Sequence, residues 1–146
     1  MAQTASAPSN IVNVPLPART GDAGYWRVFD ELLDPIAKFF HPDLVLVSAG
    51  YDCHWLDPIG MMNLTLDGFA GITRRLQQLS RALCGGRLVF ALEGGYALDA
   101  LAAGVVATFE ALLGDAVVDT IGPRPHGHEP NIDALLHRLK SSRGLR

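Results

Sequence analysis

The sequence predicts an α/β fold in which a parallel sheet is covered by helices on both faces. Two short apolar runs, residues 44–48 (LVLVS) and residues 87–92 (RLVFAL), are typical of strands buried on both sides. A segment with apolar residues three or four positions apart separates them, which indicates a helix. Alternation of strand and helix along the chain favours parallel strands joined by helical crossovers.

Before these strands, the sequence predicts one further strand and one interrupted helix. Residues 11–14 (IVNV) form a short apolar run that ends at Pro15, as expected of a strand that proline terminates. Apolar residues then recur with helical spacing over residues 25–40. Pro35 lies inside this pattern and predicts a kink or a break, with Asp34 capping the second piece.

The later helices have recognisable ends. Thr65 is the expected N-cap of a helix over residues 66–83, and Gly85 with Gly86 is expected to end it. Another helix is predicted over residues 98–113. After a tract rich in Pro, Gly and His, a short amphipathic helix over about residues 131–140 closes the chain. The expected divisions are a flexible segment 1–10, the α/β region 11–114, and a loop with a short helix in 115–146.

Length, charge and cysteine content exclude several classes of protein. The 146 residues have the size of one domain. Their net charge of −3 lacks the excess of positive charge that is typical of domains that bind nucleic acid directly. No apolar run is long enough to span a membrane, and the first ten residues lack the pattern of a secretory signal. Two cysteines do not make a disulfide framework, so we expect a cytoplasmic, reducing location.

The segment that follows the 44–48 run concentrates polar side chains. Asp52, Cys53, His54 and Asp57 fall within six residues and offer carboxylate, thiol and imidazole groups, which can bind zinc. In open parallel sheets, ligands bind outside the carboxyl ends of the strands. Spacing alone leaves two interpretations open, a metal site or a loop that these polar residues only shape, and it favours the second.

The segment that follows the 87–92 run combines glycines with a tyrosine. Gly94 and Gly95 let the backbone approach another group closely, and the Tyr96 hydroxyl could donate to an oxyanion. A tight turn covered by an aromatic ring is the alternative. A phosphate-binding loop is disfavoured because the pattern is not G-x-G-x-x-G and Glu93 would repel phosphate.

Several motifs occur in a fixed order along the chain. They are residues 13–17 (NVPLP), 20–22 (TGD), 42–52 (PDLVLVSAGYD), 57–58 (DP) and 92–96 (LEGGY). With these motifs the chain resembles the C-terminal part of zinc-dependent histone deacetylases and their relatives, the acetylpolyamine amidohydrolases and acetoin-utilisation proteins, in their bacterial or class II-like branch. The likeness runs from about residue 10 to residue 114 and implies an arginase-like α/β fold.

The resemblance implies a role for each candidate residue. Asp52 matches the family's third zinc ligand, and Tyr96 matches the tyrosine that polarises the substrate carbonyl and stabilises the oxyanion. Gly94 and Gly95 match the loop that presents this tyrosine. His54 occupies a position in the same site that is often histidine in this branch, and it is not expected to be a ligand. The implied reaction is hydrolysis of acetyl-lysine or acetylpolyamine amides by zinc-activated water.

The sequence departs from the family in one important respect. The family's other two zinc ligands and its tandem histidine bases have no counterpart in these residues. Catalytic zinc sites usually have three protein ligands, so we expect the chain alone to bind zinc poorly and to be inactive. The implied partners are a complementary N-terminal deacetylase segment or a second copy, because an incomplete sheet exposes an edge and apolar faces.

Two other functions remain open. The chain could be a non-catalytic remnant of the deacetylase fold that acts as an interaction module. A nucleotide-binding half-domain is a weaker alternative, and it predicts thermal stabilisation by nucleotides.

Overall fold

A computed structural model describes residues 10–124 and 127–145. Apart from residue 10, the segment expected to be flexible lies outside the described residues. The regular elements are, in chain order, α1 (Asp22–Val28), a π-helical turn (Phe29–Leu33), α2 (Asp34–Phe40), β1 (Val45–Ala49), α3 (Leu66–Cys84), β2 (Leu88–Leu92), α4 (Leu98–Leu113) and α5 (Asp133–Ser142).

Strands β1 and β2 pair in parallel, with Val45 opposite Leu88 and Ala49 opposite Leu92. Helix α3 is the crossover between them. The Glu93 amide donates to the Ala49 carbonyl at 3.0 Å, so the pairing continues past the end of β2. This arrangement confirms the α/β class with a parallel sheet.

The strand predicted at residues 11–14 is wrong. The backbone there is irregular, and the Leu16 amide donates to the Val14 carbonyl at 2.8 Å in a local turn. Pro15 and Pro17 have no N–H to offer a neighbouring strand, which disfavours extension of the segment into a sheet.

Helix α3 packs against both strands, yet the strands are not buried on both sides as predicted. Leu46 on β1 is 68% exposed and Val89 on β2 is 47% exposed, whereas Val45, Val47 and Phe90 are half-buried. Side chains alternate between the faces of a sheet, so the exposed residues share one face. That face is open to solvent in the described structure.

The interruption predicted at Pro35 takes an unexpected form. The helix widens into the π-helical turn Phe29–Leu33 and continues directly into α2. The cap predicted for Asp34 is wrong, because Leu33 before it is already helical and the Asp34 carboxylate binds Lys38 Nζ at 2.7 Å. A wider turn can absorb the missing N–H of an internal proline without ending the helix.

The start of α3 matches the sequence prediction. Thr65 Oγ1 accepts from the Gly68 amide at 3.2 Å, as an N-cap does. The same residue donates to Asp22 through its amide at 2.9 Å and its hydroxyl at 2.7 Å. Asp22 therefore ties the start of α1 to the start of α3. Gly85, at φ +61°, ends α3 as predicted.

Helix α4 lies close to the loop that follows β1. A Cβ added at Gly104 would be 2.6 Å from Tyr51 Cδ1, so glycine is what permits this approach. The Tyr51 hydroxyl shares a hydrogen bond of 2.9 Å with Thr108 Oγ1. Tyr51 packs with Leu64 and Phe69 in one of the buried apolar clusters. The loop after β1 is thereby anchored in the core.

The closing amphipathic helix is present as α5. Its Leu136 packs with Ile132 and with Val28 of α1 in a second buried cluster. Among the described residues, no helix combines the length and apolar character that a membrane crossing requires.

Replacing Thr65 by Ala removes the N-cap of α3 and its link to Asp22. We expect the free energy of unfolding to fall by about 1–2 kcal/mol, measured by chemical denaturation. Thr65→Ser is the matched control, because serine keeps the hydroxyl and most of the stability. Equal stability of T65A and T65S would contradict the capping role.

Candidate functional site

The two segments singled out by sequence meet at the carboxyl ends of β1 and β2. Asp52 lies in the loop after β1, and Gly94, Gly95 and Tyr96 lie in the loop after β2. The Tyr51 amide donates to the Gly94 carbonyl at 2.8 Å and joins the loops directly. This is the edge of a parallel sheet at which ligands usually bind.

The Asp52 carboxylate packs against two glycines. A Cβ added at Gly94 would lie 2.4 Å from Asp52 Oδ2, and one at Gly50 would lie 2.8 Å from Asp52 Oδ1. Both distances are shorter than real Cβ contacts, so a side chain in either place would displace the Asp52 carboxylate. Glycine at these positions therefore lets the half-buried Asp52 carboxylate lie against the loop after β2, in which Gly94 is two positions before Tyr96.

Tyr96 follows a residue whose backbone favours glycine. Gly95 has φ +140°, and a Cβ there would be 2.9 Å from Leu101 Cδ1 and 3.3 Å from Tyr51 Cβ. The Tyr96 side chain is 56% exposed. A phenol held on a restricted backbone and open to solvent is able to donate a hydrogen bond to a bound ligand.

Asp57 has a different role from the one its chemistry first suggests. Its Oδ2 accepts from the amides of Tyr96 at 2.7 Å and Ala97 at 3.2 Å. Its Oδ1 accepts from the amides of Ile59 at 2.9 Å and Gly60 at 3.2 Å. Since both oxygens bind backbone, the interpretation of Asp57 as a zinc ligand is not supported.

The surroundings of Asp57 favour its charged form. Burial alone raises the pKa of Asp57, but the amides of Tyr96, Ile59, Gly60 and Ala97 together outweigh it and hold the pKa below the usual value. Sequence reasoning missed this function. The available signal was an Asp followed by Pro, a pair typical of a turn in which the side chain accepts backbone N–H groups.

His54 lies beneath the site rather than on its surface. The residue is 1% exposed, and its ring stacks on Phe69 with centroids 6.3 Å apart. Nδ1 accepts from the Leu56 amide at 3.2 Å, while Nε2 is buried without a hydrogen-bond partner among the described residues. Burial lowers the pKa of His54 despite nearby carboxylates and favours the neutral imidazole, and the same burial keeps the ring away from a ligand at the surface.

Cys53 is also engaged inside the protein. The Tyr25 hydroxyl donates to Cys53 Sγ at 3.2 Å. Burial raises the pKa of the thiol and also raises the pKa of the Tyr25 hydroxyl. Since the thiolate is the form that binds metal or attacks a substrate, this environment disfavours either function for Cys53.

The donor set at this edge fits a zinc ion only in part. Asp52 offers one carboxylate of the right type, but the described residues contain no group of three or more His, Cys, Asp or Glu side chains that could hold a metal. A catalytic zinc ion usually has three protein ligands. The described residues therefore do not form a complete zinc site by themselves.

Comparison with known families decides the relationship. The model of the family described as "Histone deacetylase domain" matches residues 1–112. The chain belongs to the histone deacetylase family. The chain spans about a quarter of the length of the first relatives it matches, namely 25% of the Arabidopsis thaliana histone deacetylase 14, chloroplastic, and 24% of an Archaeoglobus fulgidus probable deacetylase.

The deacetylase relatives share close to half of the aligned residues. Identity is 44% over 104 residues with the Arabidopsis protein, which covers 71% of this chain. It is 46% over 88 residues with the Archaeoglobus protein, which covers 60% of this chain. Identity with the Homo sapiens polyamine deacetylase HDAC10 is 47% over 103 residues, covering 70% of this chain and 15% of the human protein.

Solved deacetylase structures have the same fold as this chain. The histone deacetylase Clr3 superposes with a TM-score of 0.74 and 31% identity, covering 90% of this chain and 21% of Clr3. The HDA15 HD domain superposes with a TM-score of 0.69 and 32% identity, covering 92% of this chain and 33% of that domain.

Replacing Gly60 by Ala tests how tightly the loop after β1 is packed. An added Cβ would lie 1.8 Å from the Asp52 carbonyl oxygen, so the backbone beside Asp52 would have to move. We expect a loss of about 1–3 kcal/mol in the free energy of unfolding, measured by urea denaturation. Gly127→Ala is the matched control, because no atom of the described residues lies within 4 Å of a Cβ added there. Equal stability of both variants would contradict this packing.

Proposed function

We propose that this chain supplies Asp52 and Tyr96 to the active site of a zinc-dependent deacetylase that hydrolyses N-acetyl amides. The observation that carries the proposal is the contact between the loops at the carboxyl ends of β1 and β2. There the Asp52 carboxylate packs against Gly94, and the Tyr51 amide binds the Gly94 carbonyl. A ligand carboxylate and a hydrogen-bond donor thus lie on adjoining loops.

The proposed substrates are acetylated lysine side chains or acetylpolyamines. Relatives of this chain are named as histone deacetylases and as a polyamine deacetylase, which supports an acetyl amide as the bond cleaved. The preference for protein or polyamine substrates is proposed to depend on other parts of the site, which residues outside this chain would supply.

The proposed role of Tyr96 is to donate a hydrogen bond from its hydroxyl to the carbonyl oxygen of the substrate amide, as negative charge develops on that oxygen. Removing one such donor from an enzyme typically lowers the rate by about 10²–10³-fold. Asp52 is the proposed zinc ligand, and zinc when bound supplies a Lewis acid for the same carbonyl. The remaining ligands and the general base are proposed to come from a complementary deacetylase segment.

The open face of the sheet supports the need for such a segment. Leu46 and Val89 leave this apolar face exposed, whereas parallel sheets are normally covered on both sides. Phe39 and Phe40 at the end of α2 are exposed as well. Packing of a complementary N-terminal segment would cover this surface, and self-association is the alternative way to bury it.

An interaction module is the second candidate function. It is favoured by the incomplete donor set, in which Asp52 lacks two further ligands among the described residues. A chain that binds a complementary segment tightly and yields no hydrolysis would support this candidate over the enzyme.

The chain alone is expected to be inactive. With an acetylated lysine peptide and added zinc, purified chain should release no acetate above the background rate, because a single carboxylate does not hold a catalytic zinc ion. Acetate release is measured with an enzyme-coupled assay. Robust turnover that a chelator abolishes would contradict the expectation.

A chimera tests the proposed roles. This chain replaces the matched stretch of the Arabidopsis relative, and turnover and zinc content of the purified chimera are measured. We expect chelator-sensitive turnover. Asp52→Asn should lower both zinc content and activity, whereas Tyr96→Phe should lower kcat by about 10²–10³-fold and keep the zinc.

Asp67→Asn is the matched control for the chimera, because Asp67 is exposed in the first turn of α3. This variant should keep both zinc and activity. Full activity of Y96F or full zinc content of D52N would overturn the corresponding role.

A further inference from the structure

We propose that Asp57 is a positioning residue that holds the Tyr96 backbone in place for the reaction. The inference rests on the proposed function, since it concerns how the oxyanion donor of that site is oriented. Both Asp57 carboxylate oxygens bind backbone amides, so Asp57 acts through the backbone of Tyr96.

The geometry of Asp57 joins two loops through one carboxylate. Oδ1 binds the amides of Ile59 and Gly60 within its own turn, and Oδ2 binds the amides of Tyr96 and Ala97, the former 39 residues along the chain. Asp57 is only 8% exposed, so water competes weakly for these hydrogen bonds. Bonds from N–H groups to a buried charge are among the stronger hydrogen bonds in proteins.

Before Tyr96, other contacts among the described residues restrain the loop up to Gly95, and after it the Leu101 amide binds the Ala97 carbonyl at 2.8 Å. The Tyr51 amide holds the Gly94 carbonyl, and neighbouring side chains limit the space around Gly95. The Tyr96 amide is the next backbone group, and its acceptor is Asp57 Oδ2. The direction in which the Tyr96 side chain leaves the backbone therefore depends on this bond.

Asp57 also substitutes for the missing cap of α4. The N-cap residue of α4 is Ala97, which has no side chain able to accept a hydrogen bond. Asp57 accepts the Ala97 amide from outside the helix and places a negative charge near its N-terminus, where charge and helix dipole attract. The start of α4 and the position of Tyr96 are thus set by the same carboxylate.

An amide side chain cannot reproduce this arrangement. Asparagine has one acceptor oxygen, and its NH₂ group is a donor. In Asp57→Asn, one of the two N–H pairs must face that NH₂ group, so one loop loses its acceptor. The substitution changes only one oxygen to nitrogen and leaves no cavity, which makes it a test of positioning rather than of packing.

The first experiment is amide NMR of the full chain. In the wild type, the amide proton shifts of Tyr96 and Ala97 should move together as Asp57 is protonated in acid. In D57N, amide hydrogen exchange should become roughly tenfold faster or more for the Tyr96–Ala97 pair or for the Ile59–Gly60 pair. Amides in the middle of α3 should exchange as before. Asp99→Asn, an exposed carboxylate in the first turn of α4, is the matched control and should not change the exchange of Tyr96.

The second experiment measures kinetics in the chimera described above. D57N should lower kcat about tenfold or more, while KM and zinc content stay near the wild-type values. A structural role alone would lower the amount of folded enzyme and leave kcat per active site unchanged. D99N should match the wild type.

The outcomes separate this inference from the proposed function. If the wild-type amide proton shifts of Tyr96 and Ala97 stay constant while Asp57 is protonated, the positioning role is overturned. This test holds even if D57N does not fold. Unchanged exchange of both amide pairs in D57N would overturn it too, as would an unchanged kcat when the Tyr96–Ala97 pair is the one that exchanges faster. An inactive chimera with normal NMR behaviour would instead count against the proposed function and leave the hold of Asp57 on Tyr96 intact.

Discussion

The parallel pairing of β1 with β2 is the constraint on which the rest of this structure depends. It places the loop that carries Asp52 beside the loop that carries Tyr96, although the two are far apart in the chain. Hydrogen bonds then lock the loops together, from Tyr51 to Gly94 and from Tyr96 to Asp57. A change in strand register would separate the loop that carries Asp52 from the loop that carries Tyr96.

Burial and hydrogen bonding assign different functions to neighbouring polar residues. Within one short segment, Asp57 binds backbone amides, Cys53 accepts from Tyr25, and His54 is buried and neutral. In that segment, the Asp52 carboxylate lies against Gly94 of the opposite loop. A group already satisfied inside the protein has little capacity left for a ligand, which supports Asp52 as the proposed ligand among four chemically plausible candidates.

The sheet has one face open to solvent in the described structure. Helix α3 packs against both strands, while Leu46 and Val89 on the other face remain exposed. The strands have the composition of strands buried on both sides, which is typical of a parallel sheet with two covered faces. This mismatch between composition and burial agrees with a chain that spans about a quarter of the relatives it matches.

The sequence by itself determined the α/β class, the ends of α3 and the two segments that carry the site. These features are local: Thr65 caps through a neighbouring amide, Gly85 reverses the backbone at one residue, and apolar spacing follows the helical period. Only the tertiary structure decided that residues 11–14 form no strand, that Asp34 caps nothing, and that Asp57 holds the Tyr96 loop. Those outcomes depend on which distant groups come into contact, and residue spacing along the chain does not contain that information.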